Sequence, residues 1–144
     1  EDAINAARAA VEEGIIAGGG SVLVQISKVL KDYAEEFEGE AKVGVLSVAR
    51  ALTRPAYWIA QNARLDGPGV VSHVAAASNG AGFNAATLEY GNLVSAGIID
   101  PVKVTHSAVV NATSVARMIL TTEASVVEKP AEEQAPAAPH GHSH

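Results

Sequence analysis

The chain contains no cysteine. That excludes disulfide staples and thiolate metal sites, and it fits a reducing compartment. Aromatic residues are scarce too, with two Phe, three Tyr and one Trp among 144 residues. Any core must therefore be built from Val, Ile, Leu and Ala, side chains that let helices pack closely. Cations are also short: Lys and Arg number 10 against 16 Asp and Glu, a net charge of −6. Neutralising a phosphate backbone needs clustered Lys and Arg, so nucleic acid is not expected as the main partner. No apolar run approaches the roughly 20 residues that a membrane-spanning helix needs, and no signal-peptide pattern is present. The expectation is a cytoplasmic chain without a membrane partner.

What the chain does hold is 48% hydrophobic residues over the length of one domain, enough to bury a core. Glu1 opens straight into a helical pattern with no starting Met and no capping residue ahead of it, so the chain reads as cut from something longer. Helices are expected over Asp2 to Glu13, stopped by Gly14, and from Ser21 as N-cap to about Phe37. A third runs from about Ala41 to Leu52 with Val43, Leu46, Ala49 and Leu52 inward, and a fourth from Pro55 to about Ala63. A short fifth covers Val70 to about Ala77. The longest follows Asp100, read as an N-cap, and Pro101, and ends near Thr121-Thr122-Glu123. Asn79-Gly80 suits a tight hairpin turn. Ala124 to Glu128 looks strand-like and Pro130 closes it.

The organising stretch is Gly18-Gly19-Gly20-Ser21, between the first two helical patterns. Glycines without a Cβ let backbone approach backbone or a ligand, and a helix N-terminus behind them favours anions and polar atoms. Two readings stay open on these residues alone: a nucleotide-holding loop, or a helix stop with a tight turn. Asn84 beside Ala85 and Ala86 is suggestive in the same way, because an amide both donates and accepts and two small residues leave a flat surface for a planar ring. An ordinary turn asparagine is the alternative. His73, alone among Val and Ala, is given no catalytic role. Beyond Pro130 the composition turns to Ala, Glu and Pro, then His140-Gly141-His142-Ser143-His144, the pattern of a disordered tail over 130–144. The alternating histidines can bind a soft divalent metal weakly, but a solvated tail is favoured over a built site.

The order of motifs is more particular than composition. Asp2-Ala3, then Arg8-Ala9-Ala10-Val11-Glu12-Glu13-Gly14 to Ala17-Gly18-Gly19-Gly20, resembles the group I chaperonins of the GroEL type. So do Gly82-Phe83-Asn84-Ala85-Ala86-Thr87-Leu88-Glu89-Tyr90-Gly91-Asn92, Gly97-Ile98-Ile99-Asp100-Pro101 and Thr121-Thr122-Glu123. The resemblance covers about residues 1–129.

The resemblance implies a mainly α fold, the C-terminal half of a multi-helix equatorial domain, with a small β-hairpin and a C-terminal edge strand that pairs with a neighbouring subunit. It implies a protein-folding ATPase with ATP and Mg²⁺ as cofactors. Asp2 matches the catalytic carboxylate that orients the attacking water. Gly19 matches a backbone contact to the nucleoside, and Asn84, Ala85 and Ala86 the adenine side. Ile98 matches an apolar contact to the base, and Asp100 the acceptor for the ribose hydroxyls. The triple glycine then serves sugar and base, not phosphate. The phosphate loop and the Mg²⁺-holding carboxylate belong to the missing N-terminal half, so no metal ligand is assigned here and this piece alone is expected to be inactive. The implied partners are identical subunits in two stacked seven-membered rings. A co-chaperonin and unfolded proteins would bind through domains absent from this chain. The His ending resembles actinobacterial paralogues, which leaves a competing reading: a structural or interaction module of a poorly assembling paralogue with a metal-binding tail.

Overall fold

A computed structural model describes residues 1–124 and 126. Six helices dominate it: α1 (Asp2–Glu13), α2 (Ser21–Tyr33), α3 (Gly39–Leu52), α4 (Arg54–Asn62), α5 (Gly67–Ala76) and α6 (Val102–Thr121). Four short strands, β1 (Ile15–Ala17), β2 (Ala81–Asn84), β3 (Glu89–Asn92) and β4 (Ile99–Pro101), form two antiparallel pairs, β1 with β4 and β2 with β3. The mainly helical expectation and the small hairpin are both present. The expected edge strand at Ser125–Glu128 and the tail at 130–144 lie outside the described residues, except Val126, which belongs to no strand.

Local chemistry accounts for three helix ends. Gly14 closes α1 at φ 88, a left-handed value that an L side chain adopts with strain. Pro55 stands in the first turn of α4, where its missing N–H would have had no partner. Asp66 caps α5 by accepting from the Gly69 N–H at 3.0 Å.

Several boundaries differ from expectation. Ser21 is the first residue of α2, and the cap position belongs to Gly20 at φ 73. Asp100 is not the N-cap of α6, because it lies in β4 opposite Ile16, and Pro101 precedes the helix instead. Asn79-Gly80 does not turn the hairpin. It leads into β2, and the reversal falls at residues 85–88, closed by the Leu88 N–H donating to the Asn84 carbonyl at 2.8 Å.

One small core holds α2, α4, α5 and β2 together: Val24, Ala56, Ala60, Val70, Val74 and Phe83. Ala56 and Ala60, like Val70 and Val74, stand four residues apart and so share a helix face. Burying each valine is worth roughly 1.5–3 kcal/mol. The expected inward faces elsewhere are only partly covered. On α3, Ala49 is buried, whereas Val43 is 63% exposed and Leu46 36%. No residue of α6 is buried, although Val109, Ala112, Val115, Ala116, Ile119 and Leu120 give it a broad apolar face. α3 packs on α2 and α6 on α1, but much of each apolar stripe stays exposed among the described residues.

Candidate functional site

The turn between β1 and α2 is where the molecule converges. On one side it meets β4: the Gly18 N–H donates to the Ile98 carbonyl at 3.0 Å. A Cβ on Gly18 would lie 3.3 Å from both the Ile98 carbonyl oxygen and Asp100 Oδ1. On the other side it meets β2. A Cβ on Gly19 would lie 3.5 Å from the Phe83 carbonyl oxygen, one residue before Asn84. Behind it, a Cβ on Gly20 would stand 2.8 Å from the Ala56 backbone nitrogen, closer than two such atoms can approach. Gly18 and Gly20 are closed in by their neighbours, whereas Gly19 has room for a Cβ and is favoured as glycine by its φ of 63.

Two further contacts lock the junction. Ser21 is 1% exposed and its hydroxyl sits where a Cβ on Gly82 would fall. Leu93, also 1% exposed, packs beside Gly82 and accepts at its carbonyl from the Ile98 N–H at 2.9 Å. Gly82 and Leu93 therefore join the hairpin to Ile98, the residue before β4. Gly18 and Ser21 were read from sequence only as part of the glycine stretch, and Gly82 was given no role of its own. Glycine inside a strand is the signal that would have found Gly82.

Gly19 and Asp100 line one cavity of about 780 Å³. Its walls come from Ile16 and Ala17, from Leu23, Leu52 and Ile59, and from Val104 to Ala116 across the opening. Asp100, half-buried, brings a carboxylate to a wall that is otherwise mostly apolar. Asn84 lies beyond the lining. Its Oδ1 accepts from the Ala86 N–H at 3.0 Å and the Thr87 N–H at 3.4 Å, which fixes the turn and leaves the amide NH₂ available to donate. Ala85 is half-buried against the core and Ala86 is exposed.

Gly18 thus meets Ile98 and Asp100 directly, Gly19 shares the cavity wall with Asp100, and Gly19 faces the carbonyl of Phe83, the residue before Asn84. Asp2 stands apart, exposed at the start of α1 and lining neither this cavity nor the second. That second, more polar groove of about 480 Å³ runs between α1 and α6, where Glu12 and Lys103 form an ion pair. Hydrogen bonding to the Glu12 carboxylate, and then its charge, hold the Lys103 ammonium above its ordinary pKa of 10.5. Among the described residues, no three His, Cys, Asp or Glu stand close enough to hold a metal ion, and no helix is long and apolar enough to cross a membrane.

Fold and site together define a mainly helical chain, its glycine turn lying against a carboxylate-bearing strand on one side and a hairpin on the other. Comparison with known proteins gives its family. The model of the TCP-1/cpn60 chaperonin family matches residues 1–130. The chain is 74% identical over its whole length to Chaperonin GroEL 1 of Corynebacterium glutamicum strain R, and 57% identical to Chaperonin GroEL 1 of Mycobacterium ulcerans. It spans 27% of the length of each. Among solved structures, the open-state monomer of a group II chaperonin from Methanococcoides burtonii matches 75% of the chain and 28% of its own, with 28% identity and a TM-score of 0.71. A group III chaperonin in the open state matches 82% of the chain and 25% of its own, with 25% identity and a TM-score of 0.76. The chain belongs to the TCP-1/cpn60 chaperonin family, and within it is similar to the GroEL type.

Proposed function

We propose that this chain is the C-terminal part of the equatorial domain of an ATP-dependent, protein-folding chaperonin, and that it supplies the adenosine side of the ATP site. Residues 1–129 form that part. The observation that carries the reading is the position of the Gly18-Gly19 backbone, bare of side chains, between Asp100 and the carbonyl before Asn84. The residues fit the group. A cradle that any Cβ at Gly18 would narrow lies beside a carboxylate able to accept from paired ribose hydroxyls. Ile98, Ala85 and Ala86 offer apolar contact to a flat base, and the Asn84 NH₂ is left to donate to it, its oxygen being engaged in the turn.

ATP, when bound, supplies the phosphoryl group whose transfer to water drives the folding cycle, with Mg²⁺ offsetting its charge. This chain's own contribution is to hold the nucleoside through Gly19, Asn84, Ala85, Ala86 and Asp100, and to present Asp2 as the carboxylate that positions the attacking water or takes its proton. Asp2 is exposed on a helix tied to α6 by Glu12 and Lys103. In this reading the phosphate-binding loop, the Mg²⁺ ligand and the client-binding domains come from the rest of a longer chain. The isolated piece does not turn over ATP, and the subunits assemble into rings in the cytoplasm.

Kinetics on the full-length subunit separate the two roles. Asp100→Ala is expected to weaken ATP binding by about 10- to 100-fold, the loss of charge-assisted hydrogen bonds worth roughly 1.5–3 kcal/mol. Asp2→Ala is expected to leave binding intact and to lower kcat by about 10²–10⁴. ATP affinity untouched by Asp100→Ala would remove the ribose assignment, and turnover untouched by Asp2→Ala would remove the catalytic one.

A further inference from the structure

The chain holds asparagines at 5, 62, 79, 84, 92 and 111, and Asn79 stands apart from the rest. The others are followed by Ala6, Ala63, Ala85, Leu93 and Ala112, whereas Asn79 is followed by Gly80. Asn5, Asn62 and Asn111 lie in helices, where the backbone is held by its own hydrogen bonds. In the hairpin, Asn84 Oδ1 accepts from Ala86 and Thr87, and Asn92 Oδ1 accepts from Ser95 at 2.9 Å. The Asn79 side chain has no such partner among the described residues, and Asn79 is exposed.

The backbone around Asn79 is a four-residue turn. The Ala81 N–H donates to the Ser78 carbonyl at 3.0 Å, and Gly80 at the third position has φ 85, the signature of a type II turn. The Gly80 N–H meets no acceptor among the described residues. The Gly80 nitrogen, with no Cβ beside it, thus follows directly on an exposed carboxamide that no hydrogen bond holds away.

We propose that Asn79-Gly80 is a site of spontaneous backbone modification, at which Asn79 is converted to aspartate and isoaspartate without an enzyme. Base removes the Gly80 N–H proton, and the nitrogen lone pair attacks Asn79 Cγ. The new N–C bond forms as the Cγ–NH₂ bond breaks, the amine takes up a proton and leaves as ammonia, and a five-membered succinimide remains. Water then opens that ring at either carbonyl. Opening at the main-chain carbonyl leaves isoaspartate, with the chain running through the former side chain and one carbon longer. Either product adds a negative charge.

The position gives the change a structural consequence. The Gly80 carbonyl accepts from the Leu93 N–H at 3.0 Å, and Ser78, on the other side, accepts from Gln25 Nε2 at 3.1 Å. An extra carbon between these anchors shifts the entry of β2 relative to Leu93 and α2. The turn is thus a timer set into the hairpin, independent of whether that hairpin binds a nucleotide.

The test is peptide mass spectrometry on the full-length subunit after warm incubation at neutral and mildly alkaline pH, with enzymatic isoaspartate methylation as a second readout. The expected result is that the peptide containing Asn79 exchanges amide for carboxylate faster than any other asparagine peptide and splits into two isomeric products. The methylation signal rises with pH and is lost in Asn79→Gln. Because Asn79 is exposed and its side chain unbonded, that variant should fold as the parent does, and an unchanged circular dichroism spectrum checks this. An Asn79 peptide that keeps its amide while other asparagines convert, or a methylation signal that persists in Asn79→Gln, would overturn the proposal.

Discussion

At the scale of single residues, the glycines decide the most, and each for a separate reason. A Cβ on Gly82 would lie 2.0 Å from Ser21 Oγ and 2.6 Å from Leu93 Cδ1. Both neighbours are fully buried and have nowhere to move. Gly82→Ala is therefore expected to destabilise the chain by about 1–3 kcal/mol, the range for overpacking, as read from a lowered urea midpoint at unchanged slope. Gly91, its cross-strand partner, has open space at its own Cβ, so Gly91→Ala serves as the matched control and should shift the midpoint far less. Equal shifts in the two variants would show that the Ser21–Gly82 junction does not hold the hairpin in place. Leu88 presents the opposite case: a non-glycine residue at φ 61, closing the hairpin where glycine or asparagine would be expected. That is why the sequence signals the turn at Asn79-Gly80 and not at its actual site.

At the scale of elements, helices were legible and short strands were not. Gly14, Pro55 and the Asp66 cap mark helix ends through chemistry contained within a few residues. β1 and β4 are three residues each and pair across more than 80 positions, so no local pattern announces them. That pairing also overturns the reading of Asp100 as a cap, because the ladder to Ile16 engages it first. The α1–α6 contact yields a pH prediction. The Lys103 ammonium is raised above 10.5 by Glu12, chiefly through their hydrogen bond, with Glu13 adding to it. A raised lysine pKa means that the pairing contributes fully below 10.5 and is lost as pH climbs through the folded-state value. Spin labels on α1 and α6 should therefore report a constant separation up to that range and a broadening above it, and Glu12→Gln should give the broadened distribution at neutral pH as well. A separation indifferent to both changes would show that the ion pair, with both partners about half exposed, does not fix α1.

At the scale of the whole molecule, the apolar stripe of α3, expected to face inward, is buried at Ala49 but exposed at Val43 and Leu46. Val43, Leu46, Val115, Ile119 and Leu120 lie on the apolar faces of α3 and α6, yet they stand exposed. Periodicity reports which residues seek cover and not which chain supplies it. The chain spans 27% of the length of its GroEL relatives. The site was legible to a similar extent. Residue types at Gly19, Asn84 and Asp100 carried their chemistry in the sequence, whereas the close approach of Gly18 to Asp100 exists only in three dimensions. Asp2 remains the residue whose role rests least on the local geometry.

The central claim is that the β1–α2 turn, the hairpin and β4 enclose one adenosine group. Hydrogen exchange on the full-length subunit, with and without ADP, measures this most directly. The account predicts that peptides covering residues 18–21, 83–87 and 98–100 gain protection together, at one common nucleotide midpoint. Protection confined to one of the three, or gained at unrelated midpoints, would contradict it.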